Sequence, residues 1–309
     1  MTDLPVKFRH LRTLVEVARQ QSVGRAAEVL HVSQPAVTKA LRELERAVGV
    51  QLVERQGRGI GITRFGEVFL RHAGASLAAV QRGIDSLARA RANSGTPLRI
   101  GALPTVSARI MPAAIEKFLA VGLPAPVMIA TGENVVLLEQ LRLGQLDLVV
   151  GRLAAPEKMF GLTFVHLYAE RVVFAVRRNH PLMAHKRFDF SRIRDFTVLM
   201  PTQGSVIRPF VERFLIAHGI ADIPVEIETV SDSFGRAMVR RSDAVWIISE
   251  GVVALDREMG ELDFLPIDTS ETRGAVGLTT LTGGPDLPAM DFLTNCIREA
   301  VIEMERAGG

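Results

Sequence analysis

Residues 33–42 place side chains that read nucleic-acid bases on one helical face. Gln34, Thr38, Lys39 and Arg42 share that face, while Val37, Leu41, Leu44 and Val48 recur on the opposite one. Glutamine can bond adenine through two hydrogen bonds, threonine can meet a thymine methyl, and lysine or arginine can reach guanine or a phosphate. Further on, Arg55 and Arg58 flank the Gln56-Gly57-Arg58 turn. A cationic tip of that kind suits phosphate or minor-groove contact. An ordinary helical hairpin with its polar face in water, and an ordinary loop carrying two arginines, have the same spacing, so both readings stand at this point.

Those side chains need a scaffold, and the surrounding residues supply one. Phe8, Leu11, Leu14, Val15 and Ala18 follow helical spacing and predict a first helix over 8–20. Ser22 can cap a second helix over Val23 to Leu30, in which Ala26-Ala27 permits close helix approach. His31-Val32-Ser33 leaves room only for a sharp corner. Ser33 can cap the third helix, and Pro35 falls in its first turn, where a missing N–H costs nothing. Two helices joined by so tight a turn fit a helix-turn-helix. Leu52–Arg55 and Gly59–Thr63 then read as a small hairpin, or wing. Thr63 can cap a long helix reaching about Ala92. Along it, Leu70, Ala73, Leu77, Val80, Ile84 and Leu87 form a narrow apolar seam at alternating spacings of three and four. So narrow a stripe fits a partner helix and predicts dimerisation; packing on the chain's own C-terminal part is the alternative.

Composition frames this. The chain has 309 residues, 48 % hydrophobic and 23 % charged, with a mean hydropathy of +0.21. Such a length predicts about two domains, and such a composition is that of folded rather than disordered protein. A single cysteine, Cys296, excludes a disulfide framework and a cysteine-rich metal centre. No apolar run suits a bilayer span, and residues 1–7 lack a signal-peptide core, so a cytoplasmic location is expected. The net charge of +3 is unevenly spread: residues 1–90 hold 14 Lys/Arg against 8 Asp/Glu, and the remainder 23 against 26. Only the front third is thereby suited to a polyanion. From Leu98 onward the texture changes. β-Branched runs at Leu98–Ala102, Val127–Thr131, Leu146–Gly151, Val172–Val176 and Thr197–Met200 alternate with helical stretches, the pattern of an α/β fold with mostly parallel strands. Residues 93–97 read as the linker.

Residues 8–66 resemble the N-terminal domain of LysR-type transcriptional regulators. The resemblance is carried by LHVSQPAVTKALRELERAVGVQLVER (30–55) and ITRFGEVFLRHA (62–73), and the order of elements extends it over the whole chain. It implies an α/β protein with a winged helix-turn-helix at 1–66, a linker and dimerisation helix with hinge at 67–97, and a two-lobed effector-binding domain at 98–309, similar to periplasmic solute-binding proteins. It implies groove contacts from Ser33, Gln34, Pro35, Thr38 and Lys39, and backbone contacts from Arg42, Arg55 and Arg58. Promoter DNA, RNA polymerase and further copies of the chain, as a dimer and then a tetramer, are the implied partners. Several C-terminal stretches, among them GALPTVSARIMP (101–112), LMPTQGSVIRP (199–209) and ETVSDSFGRA (228–237), resemble the branch governing protocatechuate catabolism through the β-ketoadipate pathway. That branch implies activation by a carboxylated ring-cleavage intermediate. Regulators of sugar-binding-protein genes share much of this texture, and the 6 % aromatic content leans against a sugar.

Given such a cleft, three strand-to-helix loops are its candidate walls. They contribute Thr105, Val106 and Ser107; Glu133 and Asn134; and Gln203, Gly204 and Ser205. Ligands of open α/β sheets bind where such loops gather, and helix N-termini favour anions. Arg208 could add a guanidinium fork, or pair with Glu212 one turn away. Ser205 and Thr105 could equally serve only as helix caps. No metal-ligand spacing, dinucleotide fingerprint or nucleophile elbow occurs, and Cys296 reads as a buried hydrophobe, so neither an enzyme nor a metal or cofactor site is expected. A plain solute-binding protein would carry a signal peptide and no basic front end. Trp246, in the apolar run Ala244–Ser249, reads as core.

Overall fold

The computed structural model describes residues 5–57, 59–92, 97–123, 125–184, 188–284 and 287–308, with side chains at all of these but 82, 85–92 and 308. They fall into two compact units, Met1–Ser94 with Arg142–Gln145, and Gly95–Leu141 with Leu146–Gly309.

The first unit holds α1 (Phe8–Gln20), α2 (Val23–Leu30), α3 (Gln34–Val48), the hairpin strands β1 (Val53–Gln56) and β2 (Gly59–Ile62), and α4 (Arg64–Ala92). Leu14, Val17, Ala26, Ala27, Val37, Leu41, Leu44 and Leu52 form its core. The corner between α2 and α3 turns on His31, whose φ of 55° lies in the left-handed region where glycine is the usual occupant. Ser33 caps α3, its hydroxyl accepting from the Ala36 N–H at 3.4 Å. Two glutamates on α3 then lock the unit. The Glu43 carboxylate meets His10 Nε2 at 3.1 Å and accepts from Arg9 Nη2 at 3.0 Å. These hydrogen bonds, that of His10 foremost, hold its carboxyl below the usual carboxylate range. Glu45 Oε1 accepts from the backbone N–H groups of Leu52 and Val53 at 2.8 and 3.2 Å, fastening the hairpin to α3. Thr63 Oγ1 caps α4 by accepting from Gly66 N at 3.0 Å.

Along α4, Leu70 packs against this core, Ala73 is buried and Leu77 is half-buried. Val80 and Ile84 are 47 % and 56 % exposed, and the Leu87 side chain lies outside those described.

In the second unit the chain builds two lobes and crosses between them twice. Lobe one has β3 (Leu98–Ala102), α5 (Pro104–Arg109), α6 (Met111–Ala120), β4 (Val127–Thr131), α7 (Asn134–Arg142), β5 (Leu148–Arg152) and β6 (Leu162–Glu170). Lobe two has β7 (Val172–Arg177), β8 (Val198–Met200), α8 (Arg208–Ala217), β9 (Glu226–Glu228), α9 (Asp232–Arg241), β10 (Val245–Ser249), α10 (Glu250–Glu258) and β11 (Leu262–Phe264). The chain returns to lobe one through β12 (Gly274–Leu281) and ends in α11 (Pro288–Gly308), where Cys296 is buried in the core.

The sheets run β4-β3-β5-β12-β6 and β11-β7-β10-β8-β9. In each, three neighbouring strands are parallel, β3, β4 and β5 in one and β8, β9 and β10 in the other; the remaining pairings are antiparallel. The sheets are therefore more mixed than the alternation of strands and helices predicts. The reason is the crossovers: β7 and β12 enter each lobe from the side at which the parallel strands end, so they run the opposite way. The helical stretch after β3 is broken into α5 and α6, because Pro112 has no N–H to donate to Ala108.

Gly66 sits where α4 passes the entry to β1, and a Cβ there would lie 2.0 Å from the Leu52 carbonyl oxygen. Backbone cannot yield to that. Gly66→Ala is expected to destabilise the first unit by about 3 kcal/mol, read as a lowered midpoint in thermal unfolding.

Candidate nucleic-acid face and effector cleft

In the first unit, Ser33, Gln34, Pro35, Lys39 and Arg42 are exposed and Thr38 is half-buried, so the start of α3 presents them together to solvent. Gln34 lies over α2, close enough that a Cβ on Gly24 would come within 2.6 Å of its Nε2. Arg55 is exposed on β1, where it pairs with Ile60 across the hairpin. Gly57, with φ of 59°, makes the turn; Arg58 lies outside the described residues. The result is a polar and cationic helix face with a two-stranded hairpin in the same unit, residue types suited to base edges and phosphates.

The second unit contains a cleft of about 570 Å³ between its lobes, at the carboxyl ends of the parallel strands. Ser107 after β3, Glu133 and Asn134 after β4, and Thr202 and Ser205 after β8 all line it. Glu133 Oε1 accepts from Thr202 Oγ1 at 2.7 Å, a hydrogen bond that bridges the lobes. Asn134 is buried and spends its amide N–H on the Arg152 carbonyl at 2.9 Å.

Several expected residues stand elsewhere. Thr105 is buried beneath the cleft, its hydroxyl donating to Glu170, and Val106 is fully buried in the lobe-one core. Gln203 and Gly204 are exposed outside the lining, Gln203 facing Glu228 and Gly204 facing the Glu133 carboxylate. Arg208 corrects the expectation most sharply. It is buried at the start of α8 and offers no fork to a ligand. Its Nε donates to Glu212 at 2.7 Å, and its Nη1 donates to Glu226, Glu228 and the Pro201 carbonyl at 3.2, 2.9 and 2.8 Å. A guanidinium so surrounded holds the start of α8 to β9.

Lobe two supplies a wall that sequence reasoning missed: Thr229, Val230, Ser231, Asp232 and Ser233 after β9, then Arg236 on α9. The signal was available as a polar Ser-Asp-Ser loop opening a helix, but β9 has only three residues and no strand pattern announces it. Trp246 is 2 % exposed and its edge forms part of the cleft wall; Gly235 makes room for it, since a Cβ there would lie 2.5 Å from the indole. Arg236 is anchored by Asp256 at 3.0 Å and by the Val252 carbonyl. Burial pushes the Asp232 carboxyl up, against the pull of Arg236.

At the crossover, buried Glu170 accepts from the Thr105 hydroxyl of lobe one and, at 2.9 Å, from the Gly251 N–H that opens α10 of lobe two. Burial pushes its carboxyl up despite those donors. Among the described residues there is no cluster of potential metal ligands, and no helix is long and apolar enough to cross a membrane.

The cleft thus offers hydroxyls, one anchored cation and two carboxyls, with apolar surface from Leu103, Val206 and Ile248. That set is suited to a small polar molecule. Because Arg208 is structural, Arg208→Met is expected to cost about 2–4 kcal/mol of stability, less than a fully buried pair because its carboxylate partners are partly exposed. Thermal unfolding reads that loss, and effector affinity measured below the transition should be unchanged.

Comparison with known proteins covers both units of the chain. Residues 8–67 match the family model described as bacterial regulatory helix-turn-helix protein, lysR family, and residues 91–301 match the LysR substrate binding domain. The chain is 59 % identical over 305 residues to the HTH-type transcriptional regulator PcaQ of Agrobacterium fabrum, covering 98 % of each. It also resembles the structure of a full-length OxyR variant from Pseudomonas aeruginosa, with 26 % identity, a TM-score of 0.59 and 94 % of each chain covered. A full-length CbnR structure in complex with its target DNA shares the fold at 23 % identity and a TM-score of 0.56, covering 95 % of this chain and 99 % of that one.

Proposed function

The chain belongs to the LysR family of transcriptional regulators, and we propose that it activates genes of aromatic-acid breakdown in answer to a carboxylated ring-cleavage intermediate. The observation that carries this is the joining, in one chain, of an exposed base-reading helix face to a bilobed cleft lined by hydroxyls and an anchored arginine. Identity to PcaQ runs through both parts. The branch that the C-terminal stretches resemble governs protocatechuate catabolism, whose intermediates are acids of the muconate and lactone kind.

In this reading residues 1–66 bind promoter DNA, 67–97 pair two chains, and 98–309 sense the effector in the cytoplasm. Ser33, Gln34, Pro35, Thr38 and Lys39 enter the groove, while Arg42, Arg55 and Arg58 hold phosphates. Exposed Val80 and Ile84 extend the seam begun by Leu70, Ala73 and Leu77 toward a partner helix. Pairing presents two α3 helices to a two-fold DNA site, and two such dimers form the tetramer that meets RNA polymerase. Ser107, Glu133, Asn134 and Ser205 contact the effector. The Glu133–Thr202 bridge couples the cleft to lobe closure. An effector that binds closed lobes more tightly shifts the arrangement of dimers on DNA by that difference in affinity.

Two measurements test this. Gln34→Ala should lose about 1–3 kcal/mol of discrimination between the operator and its single-base variants in a binding assay; unchanged base preference rejects the assignment of Gln34. Calorimetry of the full chain with a panel of ring-cleavage acids and monosaccharides should show saturable binding of an acid. Binding of a sugar alone would move the protein to the sugar-sensing branch.

A further inference from the structure

The ionisable side chains lining the cleft are, among the described residues, Glu133 from lobe one and Asp232 and Arg236 from lobe two; no histidine lines it. This is an unusual balance for a receptor of anions. Glu133 is already engaged by the Thr202 hydroxyl. Arg236 is bound to Asp256, which also holds Arg240 at 2.7 Å, so its charge is largely answered within lobe two. Glu228, at the end of neighbouring β9, is tied to Arg208. Asp232 differs from all of these. It opens α9 half-buried, it lines the cleft, and its carboxyl accepts no hydrogen bond among the described residues.

We propose that Asp232 is a specificity-determining residue, which meets an effector carboxylate as a neutral carboxylic acid and so takes up one proton from solvent with each effector bound. The proposal rests on the reading of the cleft as a sensor of carboxylated effectors. Two carboxylates brought together in a closing, partly desolvated cleft cannot both stay ionised, and the shared proton then makes a short hydrogen bond between them. Asp232 is the group that yields. Among the described residues it accepts no hydrogen bond, whereas Glu133 accepts one, and burial pushes its carboxyl up against the pull of Arg236. The N-terminal end of α9 favours the ionised form, although Ser231 already takes the Phe234 N–H at 3.2 Å, so the drive to protonate comes from the desolvation and the like charge that the effector brings. Asp232 thereby favours effectors with a carboxylate placed against α9 over neutral analogues of equal shape.

The sign follows from linkage: a group protonated only in the complex strengthens binding as pH falls. The test is calorimetry of the full-length protein with muconate and muconolactone acids, whose carboxylates are ionised throughout, in two buffers of different ionisation enthalpy. Protons should be taken up with the effector, and affinity should fall as pH rises from about 6 to 8. Asp232→Asn, with a permanent amide donor of nearly equal size, should flatten that profile and bind more tightly than the wild type at about pH 8. Acid binding without proton uptake overturns the role of Asp232 and leaves the sensing reading intact, and the wild-type proton count decides this even if the variant folds poorly. An Asp232→Asn profile as steep as the wild type overturns it also. Failure of every acid to bind removes the sensing reading, and this inference with it.

Discussion

Everything in the effector-binding unit hangs on one buried carboxyl. Glu170 stands at the end of β6, where the chain leaves lobe one, and draws a hydroxyl from α5 and a backbone N–H from α10 onto the same group. A carboxyl taken out of water is costly unless hydrogen-bonded, so these donors and the lobes that carry them are held to it. Gly251 is obligatory at this point: a Cβ would meet Glu170 Oε1 at 2.5 Å and Thr105 Oγ1 at 2.6 Å. Arg152, buried beside it, reaches from lobe one to lie over the Phe210 ring of α8, 4.6 Å from its centroid, and donates to the Thr272 carbonyl at the second crossover. The lobes are therefore joined across a polar seam, with Val206 packed against the buried clusters of both.

The same economy governs the cations. Arg208, Arg236 and Arg240 each answer carboxylates within lobe two, and Arg171 does so with Glu250 at the base of α10. What remains for a ligand is a wall of hydroxyls, backbone ends and an unengaged carboxyl. Selectivity in such a cleft comes from geometry and protonation, since no free positive charge is concentrated there among the described residues.

The DNA-reading part is legible in the sequence because its determinants are local. Ser22 and Ser33 cap within three residues, Pro35 marks a first turn, and the seam of α3 repeats over two heptads. The left-handed turn at His31 follows from the tightness of the corner, although no glycine signals it. The bilobed α/β architecture is legible too, from the alternation of apolar runs and helical stretches and from family resemblance. Long-range pairing is what sequence conceals. The i+4 partner of Arg208 can be read directly, but Glu226 and Glu228 lie 18 and 20 residues on, across a strand of three residues. The Ser231–Ser233 loop escapes for the same reason. Thr105 and Ser107 share the short helix α5, yet one points to Glu170 and the other into the cleft, a choice made by the crossover rather than by either residue.

The small hydroxyl residues around the cleft have a consequence for how such a sensor diversifies. Ser107 in α5, Thr229 after β9 and Ser233 in the first turn of α9 lie beyond the strand ends and carry little of the packing that keeps each lobe folded. Exchanging one of them would alter the cleft surface at small thermodynamic risk, whereas removing buried Glu170 or Arg208 would strand the partners that each holds. A receptor built this way could take on new chemical signals through a few nearly neutral positions without rebuilding the scaffold that joins its lobes.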